Sequence, residues 1–264
     1  MMQSRSILAV TAHPSDEVFN FGATLSHYAQ QGVKVTLACA TRGEGRGGVH
    51  SQRTGTLREG ELRHACDILG LQPPVFLGYH DSGGAHAENH SDPQALVNAP
   101  VIEIETRLKE VMERAAPQVV LTCDPRGGNG HPDKLRVFQA VSAAFHFSGH
   151  LALPPARLFL VARTLGFMEG LVAMPTGPWT NLDARLYATD ESSIAARIDT
   201  RGQRATVMAA ARAHASQGLS RLDDATLNEV YGEALDWGTF TLAGSRGPLP
   251  RRPLDDLFGG LSLE

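Results

Sequence analysis

The sequence predicts an α/β fold, Rossmann-like, with a largely parallel sheet flanked by helices, and three observations carry that reading. Short β-branched or apolar runs alternate with longer amphipathic ones as far as Ala162. Glycines stand where helices should end, at Gly32 and Gly70. The Asp, His, Arg and Gly residues gather in loops that follow strands, which is where open α/β sheets bind ligands.

The apolar run from Ile7 to Thr11 reads as a first strand, buried on both faces because it lacks polar alternation. A helical pattern from Val18 to Gln31 follows, then a strand from Val33 to Ala40 and a helix from Thr56 to Leu69. Val75 to Leu77 reads as a third strand, Ala95 to Ala115 as a helix, and Gln118 to Cys123 as a fourth strand. Pro132 opens the next helix, which runs to about Phe147, since proline is tolerated in a first turn. Arg157 to Ala162 reads as a strand. Beyond it the pattern weakens: "LFLVAR" and "ARLYAT" look strand-like, and a helix is expected from Ile198 to Ser216. Residues 1–243 read as a single domain, and residues 244–264, rich in Pro, Gly and Arg, as a loosely packed tail.

The totals narrow the function. With 264 residues, 42% hydrophobic and 20% charged, the chain can bury a sizeable core, which disfavours disordered, collagen-like and coiled-coil classes. A net charge of -4 gives no electrostatic reason to expect nucleic acid or an anionic membrane, so the expected partner is a small molecule. Self-association into a homo-oligomer is compatible with these totals. Cys39, Cys66 and Cys123 are widely spaced in apolar settings and read as reduced and buried. No apolar run reaches the roughly 20 residues that span a bilayer, and Ile7 to Ala12 is too short for a signal peptide, which points to the cytoplasm.

Two loops carry the chemistry. In "ILAVTAHPSDEVFNFGATL" a strand ends in His13 and Asp16, three residues apart, a pair able to converge on one cation. The alternative is that Ser15 or Asp16 caps the following helix. In "CDPRGGNGHPDKLRVFQA" a second strand empties into glycines, His131 and Asp133, facing the same crevice; here the alternative is a long turn capped by Asp133.

"AHPSDEVFNFGATL" resembles the AHPDDE…GGTL signature of the PIG-L/LmbE-like zinc-dependent N-deacetylases, and "GNGHPDKLRV" resembles that family's HPDH signature. "ATRGEG", "REGELRHACDILG", "LGYHDSG" and "ARAHASQ" follow in the family's order, so the likeness runs from about Ile7 to Gln217. The resemblance implies hydrolysis of the N-acetyl group of an amino sugar or sugar conjugate. It also implies zinc held by His13, Asp16 and the residue at position 134, a general base at position 15, and His131 as stabiliser of the tetrahedral oxyanion.

Two of those positions depart from the signature. Lys134 stands at the third ligand position, and a lysine of ordinary pKa, about 10.4, must lose a proton before it can bind zinc. Its ammonium can instead supply positive charge beside Asp16. Ser15 stands where the base is expected; loss of such a base costs about 10²- to 10⁴-fold. Glu17, next in sequence, should start the helix and point elsewhere.

The resemblance further implies that Arg58 and Asp81 contact the substrate, against alternatives of an Arg58–Glu61 ion pair and a turn at Asp81. Arg42, in the glycine-rich "TRGEGRGGVHSQRTG" loop, joins them as an anion-binding candidate. His80, His86 and His90 could offer a substitute ligand or simply be solvated. Three readings follow: a metal-dependent amide hydrolase, a metal-free sugar-conjugate-binding protein in which Lys134 pairs with Asp16, and a hydratase-type relative.

Overall fold

The computed structural model describes all residues except 1–3, 46–50, 85–87, 175–178, 181, 219–230, 233–234, 249–252 and 262–264. Its centre is a seven-stranded sheet in the order β3-β2-β1-β4-β5-β7-β6. Strands β1 (Ser6–Thr11), β2 (Lys34–Thr41), β3 (Val75–Tyr79), β4 (Val119–Thr122) and β5 (Arg157–Val161) run parallel. Strands β6 (Ala196–Asp199) and β7 (Trp237–Ser245) close one side as an antiparallel pair, with β7 on β5.

The apolar runs form strands because both faces of the sheet are covered. Ile7, Ala9, Leu37 and Leu121 enter one buried cluster, while Leu8, Val10, Ala38 and Val120 enter the other. Truncating such a residue, as in Leu8→Ala, should cost about 2–5 kcal/mol. α1 (Ala23–Gln30), α2 (Gln52–Leu69) and α8 (Arg204–Ala213) cover the first face, while α3 (Val101–Ala115) and α5 (Pro132–His146) cover the second. α2 is bounded by Ser51, whose side chain accepts from the Thr54 amide, and by Gly70 in the left-handed conformation.

Strand order reverses between β1 and β4, so the carboxyl ends of these two strands open the crevice expected at a switch point. The loops bearing His13 and His131 leave from those two strands.

Several expected elements are corrected. The helix after β1 begins as a π-helical turn, Val18–Gly22. α2 starts earlier than Thr56, at its Ser51 cap, and α3 starts later than Ala95, because Pro100 precedes its first turn. "ARLYAT" is not a strand: after α6 (Leu165–Val172), Asp183 caps a single helical turn, α7 (Ala184–Tyr187). Ile198, where a helix is expected to begin, lies inside β6, and α8 begins only at Arg204.

Described residues of the segment 244–264, expected as a loosely packed tail, pack onto the domain. Gly244 lies inside β7, and Leu257 and Phe258 are buried in the first cluster. Tyr28 Oη donates to Asp256 Oδ1 at 2.9 Å and accepts from the Leu257 amide at 2.7 Å. The buried Arg157 guanidinium donates to the Leu257 carbonyl at 3.0 Å. Apolar side chains at these two positions draw the segment in despite its flanking prolines and arginines.

Candidate active site

The first loop folds on itself before the helix begins. The His13 amide donates to Asp16 Oδ2 at 3.1 Å, and the Asp16 amide to the His13 carbonyl at 3.2 Å. No side chain caps the π-turn or α1, so capping by Ser15 or Asp16 is not what this loop does. Ser15 sits at φ 83°, a left-handed conformation that costs a β-carbon-bearing residue about 1–2 kcal/mol.

The fourth-strand loop arrives opposite. Asp124 accepts from the Arg126 and Gly128 amides and from the Arg163 guanidinium, which also donates to Asn20. Gly127, Gly128 and Gly130 all take positive φ in the kinked turn α4 (Gly127–Gly130). At Gly127 a β-carbon would stand 2.9 Å from the Leu135 amide nitrogen, so glycine is required there. His131 caps α5, its Nδ1 accepting from the Asp133 amide at 3.2 Å; capping by Asp133 itself is corrected accordingly.

These two loops and the one after β3, which carries Asp81, bring His13, Asp16, Asp81, His131, Asp133 and Lys134 together. His13 Nε2 is 2.8 Å from Asp133 Oδ2 and 3.3 Å from Asp81 Oδ1, and its Nδ1 is 3.5 Å from Asp16 Oδ2. Lys134 Nζ is 2.7 Å from Asp16 Oδ1. His131 packs edge-on against His13, ring centroids 4.6 Å apart. Asp133 is wholly buried; its Oδ2 also accepts from the Ser82 amide, while its Oδ1 has no hydrogen-bond partner.

Electrostatics separate the two imidazoles. Burial alone would lower the His13 pKa, but Asp81, Asp133 and Asp16 outweigh it and raise the pKa well above the ordinary value. Burial and the neighbouring His13 push His131 down to about 4, so its ring is neutral near pH 7. Burial works against the Asp16 carboxylate, yet Lys134 and His13 hold its pKa far below the usual carboxylate range.

Other candidates lie around this centre. Arg58 is buried and braces the loops, donating to the Gly43 and Pro14 carbonyls at 2.5 and 2.7 Å. Arg42 is half exposed, with Nε 3.1 Å from Glu59 Oε2. His80 Nδ1 is 2.7 Å from Asp92 Oδ2, and neither His80 nor His90 enters the potential ligand cluster among the described residues, which is His13, Asp81, His131 and Asp133. His86 lies outside the described residues.

Sequence reasoning missed a second polar layer. Glu17 Oε1 is 2.6 Å from His214 Nε2, both fully buried, and Glu61 accepts from the Ser216 amide and hydroxyl at 2.7 and 2.6 Å. The "ARAHASQ" motif was its available signal. Nothing in the sequence pattern pointed to the Arg163–Asp124–Asn20 contact.

The model for PIG-L, GlcNAc-PI de-N-acetylase, matches residues 8–145, which span β1 to α5. A 1D-myo-inositol 2-acetamido-2-deoxy-alpha-D-glucopyranoside deacetylase of Salinispora arenicola is 34% identical, with 99% of this chain and 93% of the relative covered. The chain belongs to the PIG-L family.

Solved structures share the fold. N,N'-diacetylchitobiose deacetylase from Pyrococcus horikoshii has a TM-score of 0.60 at 18% identity, covering 90% of this chain and 84% of that one. The 4-carboxy-2-hydroxymuconate hydratase GalB from Pseudomonas putida has a TM-score of 0.59 at 17% identity, covering 92% and 98%. A deacetylase and a hydratase on one PIG-L-type fold mean that the fold alone does not choose the reaction.

Proposed function

We propose that this PIG-L member recognises an N-acetylated amino-sugar conjugate in the β1/β4 crevice and that Lys134 stands in for the divalent cation there, which leaves hydrolysis of the acetamide impaired. The observation that carries this reading is the 2.7 Å contact between Lys134 Nζ and Asp16 Oδ1. The substrate class rests on the deacetylases at 30–34% identity.

Zinc does not fit the family's ligand positions in this chain. An ammonium has no lone pair to donate, and here it already neutralises the carboxylate that would be the second ligand. The Ser15 hydroxyl cannot take a proton from water as a carboxylate does. What remains serves recognition. With its Nδ1 accepting from the Asp133 amide, the neutral His131 ring carries its proton on Nε2 and offers a donor to an acyl oxygen. His13, held cationic by three carboxylates, fixes Asp81 and Asp133 in place. Asp81, which also accepts from the Gly83 amide at 2.8 Å, is the acceptor assigned to sugar hydroxyls. Arg58 positions the loops, and Arg42 contributes charge at the rim.

One observation favours a second reading. Donor atoms of His13, Asp81, His131 and Asp133 lie within 4.8 Å of one another, and Asp133 Oδ1 has no hydrogen-bond partner, so a metal could be held on this shifted set.

Zinc content and deacetylation of the N-acetylglucosaminide–inositol conjugate, measured in the unmodified protein and in the Ser15→Asp/Lys134→His double variant, test the two. Substoichiometric zinc before substitution, with stoichiometric zinc and acetate release after it, is the expected result. One tightly held zinc per chain in the unmodified protein, lost in Asp81→Asn but kept in Asp16→Asn, would establish the shifted set instead.

A further inference from the structure

The sequence holds two tryptophans, Trp179 and Trp237, and Trp179 stands beside the crevice outside any signature residue. A β-carbon built on Gly128 would be 3.6 Å from Trp179 Cη2 and 3.8 Å from Lys134 Cδ, so the indole edge, the bare backbone of the glycine turn and the lysine stem are neighbours. The ring is half-buried and held from two other sides. The Arg163 guanidinium lies 5.4 Å from its centroid, and Tyr187 meets it edge-on at 5.9 Å. Arg163 in turn grips Asp124, the carboxylate that shapes the glycine turn.

With Arg163 over one face and the ring packed against the Phe167–Ala184 cluster, the partly exposed remainder of the indole puts an apolar surface next to charged and hydrogen-bonding groups. That combination suits a pyranose or cyclitol, whose ring edges are hydroxyls and whose faces are C–H groups. We infer that Trp179 is a specificity-determining residue, the platform on which the ring of the bound conjugate stacks while Asp81 and His131 hold its polar groups. The inference rests on the sugar-conjugate reading above and adds the surface that would sort ring-bearing conjugates from simpler N-acetyl compounds.

Two measurements test it with the full chain. Calorimetry with N-acetylglucosamine and with its α-glycoside of inositol reads recognition itself. Emission of Trp237→Phe, in which Trp179 is the remaining indole, reads contact at the platform. We expect Trp179→Ala to weaken binding of the inositol glycoside by at least about ten-fold and Trp179→Phe, which keeps an aromatic face, by about three-fold or less. We also expect the Trp237→Phe emission to change saturably at the calorimetric midpoint. Unchanged affinity in Trp179→Ala, or emission that ignores a sugar seen to bind by calorimetry, would overturn the platform and leave the recognition reading standing. No heat from either sugar would remove that reading and the platform with it.

Discussion

Asp16 and Glu17 are adjacent in the chain, yet they enter polar networks of different kind. Asp16 faces the crevice, 12% exposed, and meets Lys134, itself 20% exposed. Glu17 faces the core and meets His214, with both side chains at 0%. The crevice pair has water nearby and can tolerate a changed partner, so a lysine can stand where the signature has histidine. The core pair has no such latitude, because a buried polar group without its partner bears the full desolvation cost.

The sharpest way to break this comparison is Glu17→Ala, which strands His214 in the core and should lower unfolding free energy by about 3–5 kcal/mol. Urea denaturation would measure it, and a loss below about 1 kcal/mol would show that the two layers are energetically alike. Lys134→Met should cost less, on the order of 2–3 kcal/mol, because Asp16 keeps His13 and partial access to water. Adding Asp16→Asn to that variant should recover most of the loss, which a denaturation double-mutant cycle would show.

The two imidazoles sharpen the comparison through pH. The folded pKa of His131, about 4, lies below the unfolded value of about 6.5, so between these values the unfolded chain binds more protons and stability rises with pH. The expected gain is about 2 kcal/mol once partial exposure is allowed for. His13 behaves oppositely: its raised folded pKa gives stability that is complete below about 6.5 and is lost as pH climbs through the folded value. The depressed Asp16 pKa adds stability that is lost only in stronger acid. Stability should therefore peak near pH 6.5, and His131→Gln should flatten the acid limb; an unchanged limb in a urea-midpoint series would refute the assignment. The smallest expected effect is Ser15→Gly, which relieves the positive φ and should stabilise by about 1 kcal/mol in the same assay.

Much of this architecture was legible in the chain. Runs such as "ILAVT" and "VTLACAT" are apolar on both faces, and that suffices to mark central parallel strands. The two His-bearing signatures, each following such a run, located the crevice and its residues, because ligand loops of a parallel sheet sit at strand ends. The element ends read less well: Ser51 and Asp183 begin helices by side-chain bonds to amides only two or three residues on, which an apolar pattern does not register. Arg58, a substrate contact by the family resemblance, is enclosed on α2 and donates to two loop carbonyls, partners that no sequence pattern displays.

By itself, then, the sequence determined the central strands and most helices, the family and the motif side chains gathered at one end of the sheet, since period and motif spacing act over a few residues. Tertiary structure alone decided who meets whom across long separations: Glu17 with His214, Tyr28 with Asp256, Trp179 with the turn at Gly128. Such partners are chosen by close packing and by the cost of leaving a buried polar group unpaired, and both conditions exist only once the whole chain has closed around them.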